Sequence, residues 1–322
     1  MPSLTILAAY ALDLILGDPQ WFPHPVRLMG KFISGLEGGL RKVGSSPSWL
    51  RFAAVLLAVI PCGGAYLGAA LLIQLTTGLS CMAGMICSVL LAYTTLATRD
   101  LQVETQKVLC ALEAGDLAQA CRELSFLVGR DTAHLEEPEI LRALVETVAE
   151  NISDGVIAPL FYLGLGGPAW AMTYKAINTL DSMVGYKNEK FRHMGWASAR
   201  LDDAANFLPA RLSGFMVVLS SLILGRQWRD SLRILLRDHA RHPSPNSAWP
   251  EAAMAGALGV QLGGLNYYFG QPSQKPFIGD RKKDIGRGDV REAWKILYLS
   301  SFGMLLLALL LAAAGEKLLS LL

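Results

Sequence analysis

From Phe52 to Thr98 the chain carries no Asp, Glu, Lys, Arg or His, a run of 47 residues. A helical membrane crossing takes about 20 apolar residues, so this run is long enough for two. The natural division is at Thr76-Thr77-Gly78, which predicts helices over 52–75 and 80–98 joined as a transmembrane hairpin. Two further uncharged windows of spanning length follow, Gly155–Tyr174 and Ile296–Gly315, and a shorter one covers Leu212–Gly225. Pro159, Gly164, Gly166, Gly167 and Pro168 interrupt the first of these. Irregular backbone at membrane depth belongs where protein or a water-filled cavity surrounds it, so 155–174 and 212–225 are expected as broken or re-entrant segments. The stretch Ser3–Gly17 is apolar apart from Asp13 and has no basic leader region, which suggests a short membrane or interfacial helix rather than a removable signal.

Helical periodicity continues in the polar stretch 99–150. It predicts helices over Leu101–Ala114 and Asp116–Leu127, a turn at Gly129-Arg130-Asp131-Thr132, and a helix opened by Pro138. No strand alternation of useful length and no internal repeat is visible. The expected fold class is all-α: a polytopic integral membrane protein with a transmembrane helical hairpin, broken or re-entrant helices and cytoplasmic amphipathic helices. One membrane-embedded domain, residues 1–322, would hold the apolar hairpin 52–98, a catalytic motif region 130–211, a cytoplasmic polar segment 226–295 and a C-terminal span 296–315.

Composition strengthens the membrane reading, since 52% of residues are hydrophobic and 17% charged, against roughly 25% charged in soluble domains. The formal charge of +2 and the lack of basic runs interleaved with aromatics exclude nucleic acid as a partner. Five cysteines without a Cys-x-x-Cys pair read as small packing residues. Arg41, Lys42 and Arg51 before the hairpin, Arg99 after it, and the basic stretch Arg281–Lys295 place those segments on the cytoplasmic side. Residues 175–211 carry six Lys or Arg, so full crossings on both sides of them would break the charge rule. A cytoplasm-facing cavity lined by broken segments avoids that conflict. Arg226, Arg229, Arg233, Arg237 and Arg241 recur every three or four residues as a basic stripe, expected to contact anionic lipid.

Four constellations carry candidate chemistry. In EILRALVETVAENISDG the apolar positions share one helical face, and Glu146, Glu150, Asn151 and Asp154 offer oxygens for a hard cation. A solvated amphipathic face explains the same residues, but Asp154 borders an apolar stretch, where carboxylates are expensive. Downstream, Lys175, Asn178, Asp181 and Ser182 fall at near-helical spacing, and Asp202, Asp203 and Asn206 form an acid–acid–amide set. Asp18, His24 and Arg27 lie in a proline-stiffened loop that is either a surface turn or a cavity wall. His239, His242, Ser244, Asn246 and Glu251 bracket a Pro-rich turn suited to a phosphate or polar amide.

The strings LDLILGDPQWFPHPVRLMG, VGRDTAHLEEPEI, VETVAENISDGVIAPLFY, YKAINTLDSMVGYKNEK, GWASARLDDAANFLPAR, SPNSAWPEAAMAGALGVQLGG and YFGQ resemble, in this order, the adenosylcobinamide-phosphate synthases of cobalamin biosynthesis, also called cobinamide synthases. The likeness covers about residues 4 to 300. It implies an integral membrane ligase of the bacterial cytoplasmic (inner) membrane, multi-pass, with its active site facing the cytoplasm. Such a ligase joins the ring-D propionate of adenosylcobyric acid to aminopropanol phosphate, or aminopropanol, with ATP as co-substrate and Mg²⁺. Membrane lipids, and later corrinoid-assembly membrane enzymes, are the further partners expected.

Division of labour within the motifs follows from residue chemistry alone. Glu146, Glu150, Lys175, His24 and His239 are the catalytic candidates, the histidines as proton acceptors. Asp18, Arg27, Arg130, Asp131, Asn178, Ser182, Arg200, Asn206, Asn246 and Glu251 are assigned to substrate binding. Glu150, Asn151, Asp154, Asp181 and Asp202 are the metal candidates. Two other classes compete: an intramembrane Mg²⁺-dependent prenyl or alcohol-phosphate transferase, which needs a lipid-open apolar groove, and a polytopic carrier, which usually shows paired repeats.

Overall fold

The structure, a computed structural model, describes residues 2–19, 24–186 and 189–320. Gln20–Pro23 of the proline-stiffened loop, and Lys187 and Asn188 of the YKNEK string, lie outside the described residues. The helices are α1 (Pro2–Leu16), α2 (Pro25–Val43), α3 (Pro47–Leu79), α4 (Cys81–Tyr93), α5 (Thr98–Glu113), α6 (Leu117–Ser125) and α7 (Glu137–Asn151). A π-helical turn (Ile152–Ile157) leads to α8 (Ala158–Val184), α9 (Trp196–Ala205), α10 (Phe207–Ile223), α11 (Trp228–Asp238) and α12 (Ala248–Leu258). Strands β1 (Leu262–Tyr268) and β2 (Gln271–Ile278) precede the last helix, α13 (Arg287–Leu319). Among the described residues four helical stretches are long and apolar enough to cross a membrane, or five spans if α9 and α10 count as one broken span. The protein is thus a polytopic, predominantly helical membrane protein.

The chain forms two compact units. The first comprises residues 1–97, 158–206 and 305–322. In it α8 packs on α2, α3 and α4, around a core that includes Ile33, Leu57, Ala176 and Leu180. The break between α3 and α4 falls at Ser80, not at the predicted Thr76-Thr77-Gly78 turn. Thr76 and Thr77 donate their hydroxyls to the carbonyls of Leu72 and Ile73 inside the helix, while the Ser80 hydroxyl caps Ala83 N–H at 3.0 Å. The helix α8 is broken at Gly167 (φ 73°, ψ −165°), next to Pro168, within the window expected to be interrupted.

The second unit comprises residues 98–157 and 207–304. Here α12 is the central element, packed on α7, α10, α11 and β2. Pro250–Leu258 is buried throughout, and a Cβ on Gly256 would come within 2.6 Å of the α11 backbone. The predicted helices over 101–114 and 116–127 appear as α5 and α6, the latter capped by Asp116 accepting from Gln119 N–H. At the start of α7, Glu139 accepts from Glu136 N–H and Pro138 sits in the first turn. The basic stripe on α11 carries ion pairs within the protein. Arg233 and Arg237 pair with Asp230, Asp238 and Asp280, Arg241 with Asp238, and Arg226 with Glu292, so these charges are engaged within the protein.

The hairpin β1–β2 is the element that pattern reading misses, and it qualifies the all-α expectation. Glycines at 263 and 264 and prolines at 272 and 276 argue against a strand by propensity. Its two-residue loop, Phe269 (φ 54°) and Gly270 (φ 74°), has the positive φ pair of a type I′ turn. Asp131 holds that turn: its carboxylate accepts from Phe269 N–H at 3.2 Å and Gly270 N–H at 2.7 Å, and its own N–H donates to Tyr267 O. Asp131→Ala removes both charge-assisted bonds, a loss of about 2 kcal/mol. Hydrogen exchange of residues 262–278 is expected to accelerate while α12 stays protected; unchanged hairpin exchange would contradict the clamp.

Candidate functional site

A polar cavity of about 140 Å³ opens in the second unit, lined by Leu127–Arg130, Glu146, Thr147, Glu150, Asn151, His242, Glu251, Gly263, Tyr268 and Lys275–Pro276 with Ile278. The helix α7 builds one wall. Its positions Leu141, Leu144, Val145 and Val148 are buried, which leaves Glu146 and Glu150, one turn apart, on the cavity side. The turn after α6 brings Arg130, the loop before α12 brings His242, α12 brings Glu251, and the hairpin brings Tyr268 and Lys275.

Arg130 is almost wholly buried and donates to Glu146 Oε2 at 2.7 Å. Its second terminal nitrogen reaches Asn266 Oδ1, which also accepts from Arg142 at 3.3 Å. Glu146 Oε1 accepts from Gly263 N–H at 2.8 Å. Glu146 is therefore satisfied on both oxygens. Glu150 is more accessible, with a 3.5 Å contact from Ser247 Oγ, at the limit of a hydrogen bond.

Glu251 differs from both, being 5% exposed on a helix otherwise made of small and apolar residues. Burial, then the nearby charges of Glu150 and Glu146, hold its carboxyl well above the usual carboxylate range, with Lys275 and Arg130 only partly opposing. For Lys275 burial alone would lower the ammonium, but Tyr268 and the carboxyls of Glu251, Glu150 and Glu146 outweigh it and keep the group cationic. Burial and the Lys275 charge bring His242 down to about 4, despite the Ser244 N–H bond at 3.0 Å to its Nδ1. It is neutral at physiological pH.

The cavity thus joins five predicted site residues, Arg130, Glu146, Glu150, Asn151 and Glu251. Asn151 spends an amide hydrogen on Thr147 O at 2.9 Å. Asp131 is engaged in the hairpin turn. His239 does not line the cavity; its Nδ1 faces the Leu235 and Leu236 carbonyls and its ring packs on Trp249 at 4.5 Å. Asn246 is buried in the loop before α12, its N–H bonded to Ser244 Oγ, and Asp154 sits half-buried in the π-helical turn.

The remaining predicted residues belong to the first unit. Asp18 lies 3.9 Å from His24 and 3.7 Å from Arg27. Burial lowers the His24 imidazole below its ordinary value, Asp18 opposing and Lys175 and Arg27 adding to the fall. On α8, Ser182 donates to Asn178 O at 2.9 Å and Asp181 O accepts from Gly185 N–H; Arg200 is exposed on α9. Tyr174 donates to Asn206 Oδ1 at 2.8 Å, and Asn206 in turn donates to Asp202 at 3.0 Å. Among the described residues no three His, Cys, Asp or Glu side chains are placed to hold one metal ion. Glu150, Asn151 and Asp154 fall in one unit, Asp181 and Asp202 in the other.

Three lining residues, Lys275, Tyr268 and His242, were not assigned to the site from sequence. His242 stood beside Glu251 in one constellation and Tyr268 opens the YFGQ string. Lys275 carried no signal, because its place depends on the hairpin.

A family described as CobD/Cbib protein matches residues 6–297. The chain is 50% identical over 310 residues to "Cobalamin biosynthesis protein CobD" of Geobacter metallireducens, covering 94% of each chain. It is 47% identical over 313 residues to the protein of the same name from Pelobacter propionicus, covering 97% of this chain and 96% of the relative. It is 46% identical over 314 residues to "Cobalamin biosynthesis protein CbiB" of Salmonella typhimurium, covering 96% and 98%. No solved structure matches.

The raised Glu251 carboxyl has a consequence for stability. Below the usual carboxylate range it is protonated in both folded and unfolded chains and contributes nothing. As pH rises, the unfolded chain loses its proton first, so folding stability falls until the folded-state value is passed. Thermal unfolding in detergent should show that fall between mildly acidic and alkaline pH, and Glu251→Gln should flatten it; an unchanged slope in the variant would contradict the assignment.

Proposed function

The chain belongs to the CobD/CbiB family of cobalamin biosynthesis proteins, and we propose that it is the amide ligase that joins adenosylcobyric acid to aminopropanol phosphate. The observation that carries this reading is the cavity itself, in which Arg130, Glu146, Glu150 and Glu251, drawn from three separate motif strings, meet in one place. Ionisable groups concentrated this way in an apolar protein mark chemistry on charged reactants. Membership of a biosynthetic family favours a ligase over a lipid transferase or a carrier.

A propionate and an amine do not condense in water unaided. ATP supplies the activation: a propionate oxygen attacks the terminal phosphorus, ADP departs, and an acyl phosphate forms. The amine nitrogen then attacks the acyl carbon, the carbon–oxygen bond breaks toward phosphate, and nitrogen loses the protons that amide formation requires. The protein's share is positioning and charge. Arg130 is fixed by Glu146 and Asn266, so its guanidinium is a rigid cationic wall. Lys175, Arg27 and Arg200 are the cations of the first unit assigned to anionic reactants.

Mg²⁺ would offset the negative charge of the ATP phosphates, and Glu150, Asn151 and Asp154 are the residues of this unit that would hold it. The cavity, of about 140 Å³, is of a size for a small polar group of a reactant. In this reading the protein is a multi-pass component of the bacterial inner membrane, with the cavity open to cytoplasmic ATP, and later corrinoid-assembly enzymes are its neighbours.

Purified protein in detergent, given adenosylcobyric acid, aminopropanol phosphate or aminopropanol, ATP and Mg²⁺, should yield the amide product by mass spectrometry, with one ADP per product. Glu150→Gln keeps the shape of the wall and should lower turnover by about tenfold or more through loss of a charge-assisted contact. No product from folded wild type with every reactant present would overturn the ligase reading.

A further inference from the structure

The groups that line the cavity differ in the hydrogen bonds they have left to make. Arg130 is engaged by Glu146 and Asn266, and Glu146 by Arg130 and Gly263 N–H. Lys275 is not engaged in this way. It stands on β2 opposite Gly264, which has no side chain, and strand alternation puts it on the same face of the hairpin as Asn266 and Tyr268. There it lines the cavity half-buried. Among the described residues its ammonium has longer-range charge interactions with Tyr268 and the three carboxyls, without a hydrogen bond or ion pair. His242 is a second donor. Its Nδ1 accepts from Ser244 N–H at 3.0 Å, so Nε2 carries a hydrogen whether the ring is neutral or charged. The Tyr268 hydroxyl is a third, without a hydrogen bond among the described residues. The hairpin and the loop before α12 thus bring three donors to one space.

We propose that Lys275 and His242, with the Tyr268 hydroxyl, hold a phosphoryl group of a reactant in this cavity, Lys275 supplying charge and His242 Nε2–H fixing the orientation. A phosphate monoester presents three terminal oxygens, one for each donor, and the cavity of about 140 Å³ is of a size for such a group. A neutral hydroxyl or amide would leave the ammonium without a counter-charge, whereas a donor bonded to an oxyanion makes the stronger class of hydrogen bond. Charge agrees with the donors. The Arg142 guanidinium, bonded to Leu265 O and Asn266, joins Arg130 and Lys275, so the cations equal the carboxyls Glu146, Glu150 and Glu251 even with all three ionised. Burial holds Glu251 neutral, which leaves positive charge in excess. Which phosphate is bound rests on the ligase reading above: the ester of aminopropanol phosphate or the terminal phosphate of ATP. No bond forms or breaks at these three residues; they bind and orient.

Calorimetric titration of the detergent-purified full chain tests the subsite with inorganic phosphate, 1-amino-2-propanol phosphate, 1-amino-2-propanol, and ATP with MgCl₂. Inorganic phosphate should bind, and on the wild type sulfate should displace it while 1,2-propanediol should not. Lys275→Met should weaken phosphate by about tenfold or more. Lys275→Arg, which keeps a cationic donor, should recover part of that loss, and His242→Phe should weaken phosphate by a smaller factor. Thermal unfolding of each variant checks that it is folded. The two sources separate in the same variant. A loss confined to 1-amino-2-propanol phosphate, with its phosphate-free amine and ATP unchanged, assigns the subsite to the ester; a loss confined to ATP assigns it to the nucleotide. Absence of binding by every phosphate ligand, a folded Lys275→Met variant that binds them all as the wild type does, or loss of the phosphate-free amine in that variant would overturn the proposal. Phosphate binding by a wild type that makes no product would sink the ligase reading and keep the subsite. Turnover by Lys275→Met with unchanged KM for both aminopropanol phosphate and ATP would do the reverse.

Discussion

Three segments far apart in the chain depend on the carboxylate of Glu146. One oxygen holds the Arg130 guanidinium and the other holds the N–H of Gly263, so helix α7, the turn after α6 and the first residues of the hairpin are fixed against one another. Arg130 extends the link to Asn266 in the middle of β1. The pair is nearly buried, and a pair of this kind is strongly destabilised when one partner is removed, because the other is left as an uncompensated charge. Its value lies in specificity of arrangement as much as in net energy. With Glu146 occupied twice, the carboxyls left to address the cavity among the described residues are Glu150 and Glu251.

The membrane imposes the complementary constraint. Apolar helices such as α3, α4 and the later part of α13 are nearly free of charge, and in the first unit a chain of hydrogen bonds runs from Tyr174 through Asn206 to Asp202. The second unit does the opposite, concentrating ionisable groups around the buried helix α12. Small residues make this possible. Alanines and Gly256 let α11 approach α12 at backbone distance, and Ser231 donates to Ala253 O at 2.8 Å, so the helix is held without large side chains that would fill the space before Glu251.

Much of this arrangement was legible in the sequence, for physical reasons that differ by element. Spans announce themselves because charge is excluded from them, and α7 does so because its apolar face repeats at helical spacing behind a proline in the first turn. Helix ends are less visible. Thr76 and Thr77 resemble turn residues but bond back to the preceding turn of the helix, and only Ser80 caps the next one. The hairpin was hidden because its glycines and prolines weaken the strand pattern, and its stability comes from Asp131, more than a hundred residues away. The ion pairs of the arginine stripe are half legible: Asp230 and Asp238 are local on α11, whereas Asp280 and Glu292 are remote in sequence and reach it only on folding.

Glu251 illustrates where pattern reading ends. In the string SAWPEAAMAGALG it is one acid in a run of small residues, equally compatible with a helix start, where a carboxylate suits the dipole. Only three-dimensional structure places it in one cavity with Glu146, Glu150 and Lys275. A protein selected for stability alone would be better served by an apolar residue there, since a buried carboxyl held neutral lowers stability once the unfolded chain ionises. Glu251 stands in the first turns of a buried helix, and Glu146 with Arg130 is the frame that holds the cavity around it.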